Sequence, residues 1–186
     1  MRGQLQYVII GGERVVFYSF LYLFSVSILV FLLGRIFPRR LLRAQAFPFK
    51  SFGFEREGAI YLRVGIMKWK TKLPDASLLL ARLFPRLMPK KRLEGEAKIA
   101  VLIKETCIAE MAHAAVAVLG FGCVWIWEGI GGWLLSLAFL LGNIPFILIQ
   151  RFNRPRLIKA EAMLAKRRGI LAGEKEQENE EGKKVK

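Results

Sequence analysis

The chain is 186 residues long, 54% hydrophobic, and carries 30 Lys and Arg against 15 Asp and Glu, a formal charge of +15 at pH 7. That apolar content excludes ordinary disorder, and uninterrupted apolar runs of nearly twenty residues exclude a soluble basic domain built for nucleic acid. A membrane protein fits, because a spanning helix takes about 20 residues and this length holds three or four with their loops.

Val15 to Leu33 contains no charge and is closed by Gly34, Arg35, Pro38, Arg39 and Arg40. It reads as a spanning helix with a basic stop. Its apolar stretch exceeds the roughly 7–15 residues of a signal-peptide core, and no small-x-small cleavage site follows, so an uncleaved anchor is expected.

Residues 35–104 form a basic block with 17 Lys and Arg against 5 Asp and Glu. Within it, Ser77 to Arg92 alternates apolar clusters with Arg82, Arg86, Lys90 and Lys91, and predicts an interfacial helix kinked at Pro85. Ala59 to Lys72 alternates in places like a strand but has no evident partner strand, so membrane-associated helix is preferred. Trp69 and Lys70 with Asp75 make a candidate substrate-contacting group. Trp69 equally suits the headgroup layer, and Asp75, beside Pro74, equally suits a turn or a helix cap.

A second span is predicted over residues 106–127 and a third over 133–149, joined by a tight, almost uncharged turn at Glu128–Gly132. Trp125, Trp127 and Trp133 cluster at that turn, as indoles do at a headgroup layer. Lys and Arg in short loops stay cytoplasmic. Residues 150–173 hold 7 basic and 1 acidic side chains, and residues 1–14 hold 2 and 1. This balance predicts an outer N-terminus, an inner basic block, an outer turn and a cytoplasmic C-terminus. Residues 174–186 carry five acids and four bases with no apolar face and read as a disordered, solvated tail. The fold class expected is therefore an all-α multi-pass membrane protein, one membrane-embedded domain over 1–173 with interfacial helices on the cytoplasmic side.

Ionisable groups in a span need a partner, a wet cavity or a function. Glu105, Glu110 and His113 stand together, and Glu110 and His113 are three apart, on one helical face. His113 is the only histidine. A carboxylate beside an imidazole can orient the ring as a general base, with Glu110 or Glu105 in that role. The alternative is a hydrogen-bonded pair joining helices. A metal is not expected, because dinuclear carboxylate bundles need two Glu-x-x-His motifs and this chain has one.

The third span ends in Asn143, Pro145, Gln150, Arg151, Asn153, Arg154 and Arg156. Pro145 is expected to bend or loosen the helix. The arginines, with two asparagines and a glutamine among them, suit phosphate oxygens. Anchoring to anionic lipid is the competing reading of each single arginine. Cys107 and Cys123, sixteen residues apart on one helix, lie about 24 Å apart and cannot bridge. No Walker loop, GxGxxG, CxxC or GxSxG is present.

Five segments resemble the glycosyl-4,4′-diaponeurosporenoate acyltransferase family, which completes staphyloxanthin-type carotenoids. They are FKSFGFE (Phe49 to Glu55), MKWKTKLPDA (Met67 to Ala76), ETCIAEMAH (Glu105 to His113), NIPFILIQRFNRPRL (Asn143 to Leu157) and LAKRRG (Leu164 to Gly169). IQRFNRPRL is the most specific, and Ala114 stands where the family pattern has tryptophan.

The resemblance implies transfer of a fatty acyl group to a sugar hydroxyl, the primary 6-hydroxyl, of a glycosylated carotenoid or similar glycolipid in a bacterial cell membrane. It implies no cofactor beyond an acyl donor acting as co-substrate, its acyl chain carried on a phosphopantetheine thioester or on a lipid. On this reading His113 is the base and Glu110 or Glu105 steadies it. Arg151, Asn153 and Arg154 bind donor phosphates or polarise the carbonyl, Gln150, Arg156 and Asn143 are further substrate-binding residues, and Trp69, Lys70 and Asp75 line the sugar side. Two other classes are weighed against it: a small membrane lipid methyltransferase, and a non-catalytic scaffold gripping anionic lipid or partners.

Overall fold

A computed structural model describes the backbone of residues 2–72 and 95–184. The helix expected over residues 77–92, and Asp75, lie outside those residues. All the regular structure described is helical: α1 (Arg2–Ile36), α2 (Ala59–Arg63), α3 (Ile66–Trp69), α4 (Gly95–Leu119), α5 (Cys123–Ile126) and α6 (Ile130–Lys184), with short 3-10 turns at Arg39–Leu41, Gly53–Gly58 and Gly120–Gly122. Three stretches are long and apolar enough to cross a membrane, Gly12–Ile36, Ala97–Ile126 and Ile130–Ile170. The protein is an all-α membrane protein.

The chain packs as two compact units, Met1–Arg43 with Cys107–Arg151, and Ala44–Thr106 with Phe152–Lys186. In the first unit α1 buries a narrow stripe at Ser19 and Leu23, one turn apart, and leaves Phe17, Phe20, Phe24 and Leu33 exposed. At about 25 cal/mol per Å² such an outer surface is unfavourable in water and suits hydrocarbon. Backbone groups in lipid must be satisfied internally, which explains how the break at Gly120–Gly122 is built. There Tyr22 Oη donates to the Leu119 carbonyl at 2.8 Å and Ser136 Oγ donates to the Gly120 carbonyl at 3.1 Å. Side chains from two other helices thus take over the carbonyls that the broken ladder leaves. Gly122 permits the approach, since a Cβ there would overlap the Tyr22 ring and hydroxyl. No disulfide joins Cys107 and Cys123, both buried thiols.

The second unit is organised around two buried charged residues. Glu55, 2% exposed, accepts from Tyr61 Oη at 2.7 Å, Ser51 Oγ at 3.0 Å and the Phe52 amide at 3.0 Å. Arg154, also 2% exposed, donates through Nε to Thr106 Oγ1 at 3.0 Å and through its two amino groups to the carbonyls of Phe49 at 2.8 Å and Thr106 at 3.1 Å. Its guanidinium also lies 5.2 Å from the Phe49 ring centroid. Between these anchors Arg56 (φ 46°), Glu57 (φ 55°) and Gly58 (φ 93°) run through the left-handed region. Each non-glycine residue there costs about 1–2 kcal/mol. The Glu55 bonds, at about 1.5–3 kcal/mol each for a charged acceptor, offset that. The backbone of Gly58 lies against Phe152, where a Cβ would meet the Phe152 carbonyl at 3.5 Å.

Several boundaries differ from expectation. Ala59 to Lys72 is helical as preferred, but in two short pieces separated at Gly65, whose φ of 70° ends one turn and starts the next. The second helix begins at Gly95 rather than near residue 106, because Lys98, Lys104 and Glu105 are good helix formers outside the apolar run. Helix α6 continues through Pro145 and Pro155 to Lys184, so the expected disordered tail is helical up to that residue. Elongating an existing helix needs no new nucleus, and Glu, Lys and Gln favour it without an apolar face.

Candidate functional site

In the first unit α4 and α6 lie side by side, and four polar residues meet across them. His113 Nδ1 is 3.0 Å from Asn143 Oδ1. Asn143 is buried, and its Nδ2 donates to the Phe139 carbonyl at 2.8 Å. That second bond fixes which end of the amide is the NH2, so Oδ1 is the acceptor and the histidine Nδ1 must carry the proton. In the neutral ring the lone pair is then on Nε2. Phe146, one turn beyond Asn143, stacks on the imidazole at 4.8 Å with planes 11° apart. The ring is held in its plane by the stack and in its tautomer by the amide.

One turn earlier on α4, Glu110 Oε1 accepts from an Arg151 amino group at 2.6 Å. Their side chains are only 11% and 10% exposed. Glu110 and His113 stand about 4.5 Å apart along α4, and Arg151 and Asn143 about 12 Å apart along α6. The length of the arginine side chain takes up the difference. Arg151 is the first charged residue after Trp133–Ile149, so the ion pair marks the end of the apolar run and His113 lies one helical turn inside it.

The expected orienting carboxylate is replaced by an amide. The observed hydrogen bond of Nδ1 runs to Asn143, while Glu110 pairs with Arg151. Residues three apart on a helix share a face and project together toward the neighbouring helix, so each finds its partner there. Glu105 is half-buried on the part of α4 that belongs to the second unit. Gln150 is half-buried on α6 in the first unit.

In the second unit the arginines after Arg151 divide by role. Arg154 departs from the donor-contact expectation: its guanidinium is buried and tied to Phe49 and Thr106, which makes it a strut. Arg156 is exposed, its guanidinium 3.8 Å from the Phe152 ring centroid, with Met67 Sδ at 3.9 Å. Lys70 Nζ lies 5.1 Å from the same centroid. The two cations are therefore no more than about 9 Å apart on one aromatic ring, an arrangement that attracts an anion. Trp69 Nε1 donates to the Val64 carbonyl at 3.4 Å, and Asn153 is half-buried. Phe146, Phe152, Thr106 and Glu55 were not expected at these positions. Of these only Phe146 has a sequence signal, its i+3 spacing from Asn143.

Comparison with known proteins bears on this arrangement. A family model described as glycosyl-4,4′-diaponeurosporenoate acyltransferase matches residues 38–163, which include the His113 cluster and exclude α1. The chain is 29% identical over 163 residues, 84% of its length and 93% of theirs, to proteins of that name from Staphylococcus aureus strains bovine RF122 / ET3-1 and N315. It is 28% identical over 162 residues, with the same coverage, to the protein of that name from strain MRSA252. No solved structure matches.

Proposed function

The chain belongs to the glycosyl-4,4′-diaponeurosporenoate acyltransferase family, and from that premise we propose that it esterifies a sugar hydroxyl of a glycosylated carotenoid with a fatty acyl group, His113 acting as general base. One observation carries the mechanistic reading: the Asn143 amide, oriented by Phe139, leaves the Nε2 lone pair of a stacked, immobile imidazole to take a proton.

The acceptor hydroxyl gives its proton to Nε2 of His113 as its oxygen attacks the thioester carbonyl carbon of the donor. The resulting tetrahedral oxyanion collapses with cleavage of the C–S bond. The departing thiolate then takes the proton back from the imidazolium. An ester and a free thiol result, and no covalent enzyme intermediate is needed. Arg151, held by Glu110, supplies positive charge on the same two helices where oxyanion charge develops. In the second unit Lys70 and Arg156 converge on Phe152, two cations suited to an anionic group.

The substrates explain the setting. A polyene acceptor stays in the bilayer, while its sugar reaches the boundary, where the apolar run of α6 gives way to Arg151. The basic segments 35–104 and 150–173 support a cytoplasmic location for that boundary and for the C-terminus.

The test is acyl transfer in membranes containing the protein, a glycosyl carotenoid and an acyl thioester, read by mass spectrometry as a gain of one esterified fatty acid. His113→Ala is expected to lower the rate by about 10²–10⁴-fold. Undiminished transfer by that variant refutes the base assignment.

A further inference from the structure

The second unit contains a pocket of about 270 Å³ lined by Phe54, Arg56, Ala59, Ile60 and Arg63. None of these residues belongs to the His113 cluster. We propose that this pocket binds the phosphate-bearing headgroup of an anionic membrane lipid, with the two guanidiniums on the phosphate and Phe54 and Ile60 against the first carbons of the lipid.

Both guanidiniums are exposed and open to an external partner. Among the described residues no carboxylate lines the pocket. The two acids nearest in the chain are engaged elsewhere: Glu55 is buried under Tyr61, Ser51 and the Phe52 amide, and Glu57 pairs with Lys159 at 2.5 Å. Arg56 and Arg63 form no ion pair among the described residues. Among the described residues two guanidiniums and the apolar Phe54, Ala59 and Ile60 therefore share one pocket with no carboxylate to neutralise them.

The pocket is also a built feature. Arg56 sits at φ 46° in a turn that L-residues disfavour, and the Glu55 bonds and the Gly58–Phe152 approach hold that turn in place. A left-handed non-glycine residue that its surroundings over-determine is a pointer to function. Phe54 is 67% exposed and stacks on Phe52 with centroids 5.7 Å apart, an apolar surface that gains by meeting hydrocarbon. Pockets that enclose a whole small ligand run from about 300 to 1,000 Å³, so this one suits a headgroup whose chains continue outside. A free phosphate would use the arginines alone. A lipid uses both halves of the lining, and we assign the site to it.

The experiment titrates the full chain, in detergent micelles, with phosphatidylglycerol, with phosphatidylcholine and with inorganic phosphate, reading adducts by native mass spectrometry. One saturable phosphatidylglycerol per chain is expected. Phosphatidylcholine should bind more weakly, because its choline brings a like charge to the arginines. At about fivefold per basic residue at an anionic lipid, Arg56→Gly and Arg63→Gln should each raise Kd about fivefold and the double variant about 25-fold. Lys98→Gln, an exposed cation elsewhere in the same unit, should leave Kd unchanged. Glycine is at home at a positive φ, so Arg56→Gly should melt no lower than the parent, and Arg63→Gln tests the site independently of the turn. Equal losses for Lys98→Gln would show diffuse surface attraction and overturn the proposal. So would equal binding of phosphatidylcholine, or displacement of the lipid by inorganic phosphate at matched concentration.

Discussion

Replacing Asn143 with leucine, close to it in volume, removes the acceptor of the His113 Nδ1 proton. The Phe139 carbonyl keeps its backbone donor, the Asn143 amide four residues on, so α6 itself is not broken. His113 is half-buried under Phe146, and an orphaned N–H there costs about 1–3 kcal/mol. The ring can escape that cost by moving its proton to Nε2, which removes the base. Returning to the active tautomer then takes the same 1–3 kcal/mol, about 5- to 150-fold in kcat, with KM for the acceptor unchanged. Asn143 is on this argument a positioning residue, so its effect must pass through His113. In a double-mutant cycle on initial rates of ester formation, Asn143→Leu should add nothing to His113→Ala. An equal loss in both backgrounds, or a rise in KM at constant kcat, would mean that Asn143 contacts substrate itself, and the tautomer argument would fail.

The Glu110–Arg151 pair should show the asymmetry of partly buried charges: Glu110→Leu alone takes the carboxylate from Arg151 and should lower the melting temperature, whereas Glu110→Leu with Arg151→Met should recover most of it. Arg154→Lys keeps the charge but not the fork that reaches Phe49 and Thr106, so at least about 3 kcal/mol should be lost, with faster tryptic cleavage at Lys50. Gly122→Ala should cost about 1–3 kcal/mol through overlap with Tyr22, and adding Tyr22→Ala should return part of that loss in thermal unfolding.

The spans, the helical class and the membrane setting were legible in the sequence because apolar length and basic flanks report directly on the bilayer. The helix over residues 174–184 was not legible for a physical reason: amphipathic patterning signals packing against a core, and a helix that elongates from α6 needs none. The partner of His113 lay thirty residues away, and no local period encodes the register between two helices. What periodicity did offer was the shared face of Glu110 and His113, and from that face each residue turned to a different partner on α6.

The three arginines show how much more was recoverable. At about 100° per residue, Arg154 stands 60° from Arg151 around a continuous helix and Arg156 stands 140° from it. Arg151 and Arg154 therefore share a side of α6, and Arg156 stands off it. Along α6 each guanidinium meets a different environment: Glu110 for Arg151, the Phe49 and Thr106 carbonyls for Arg154, the buried Phe152 ring for Arg156. On one continuous helix Arg151 is thus paired with a carboxylate, Arg154 is tied into the scaffold and Arg156 stays exposed beside an aromatic ring. Inserting one alanine between Asn153 and Arg154 would rotate the later two by about 100°. That insertion should strip Phe49 and Thr106 of their donor while leaving the Glu110–Arg151 pair in register. Loss of the Glu110–Arg151 coupling energy in the insertion background would contradict this division of roles.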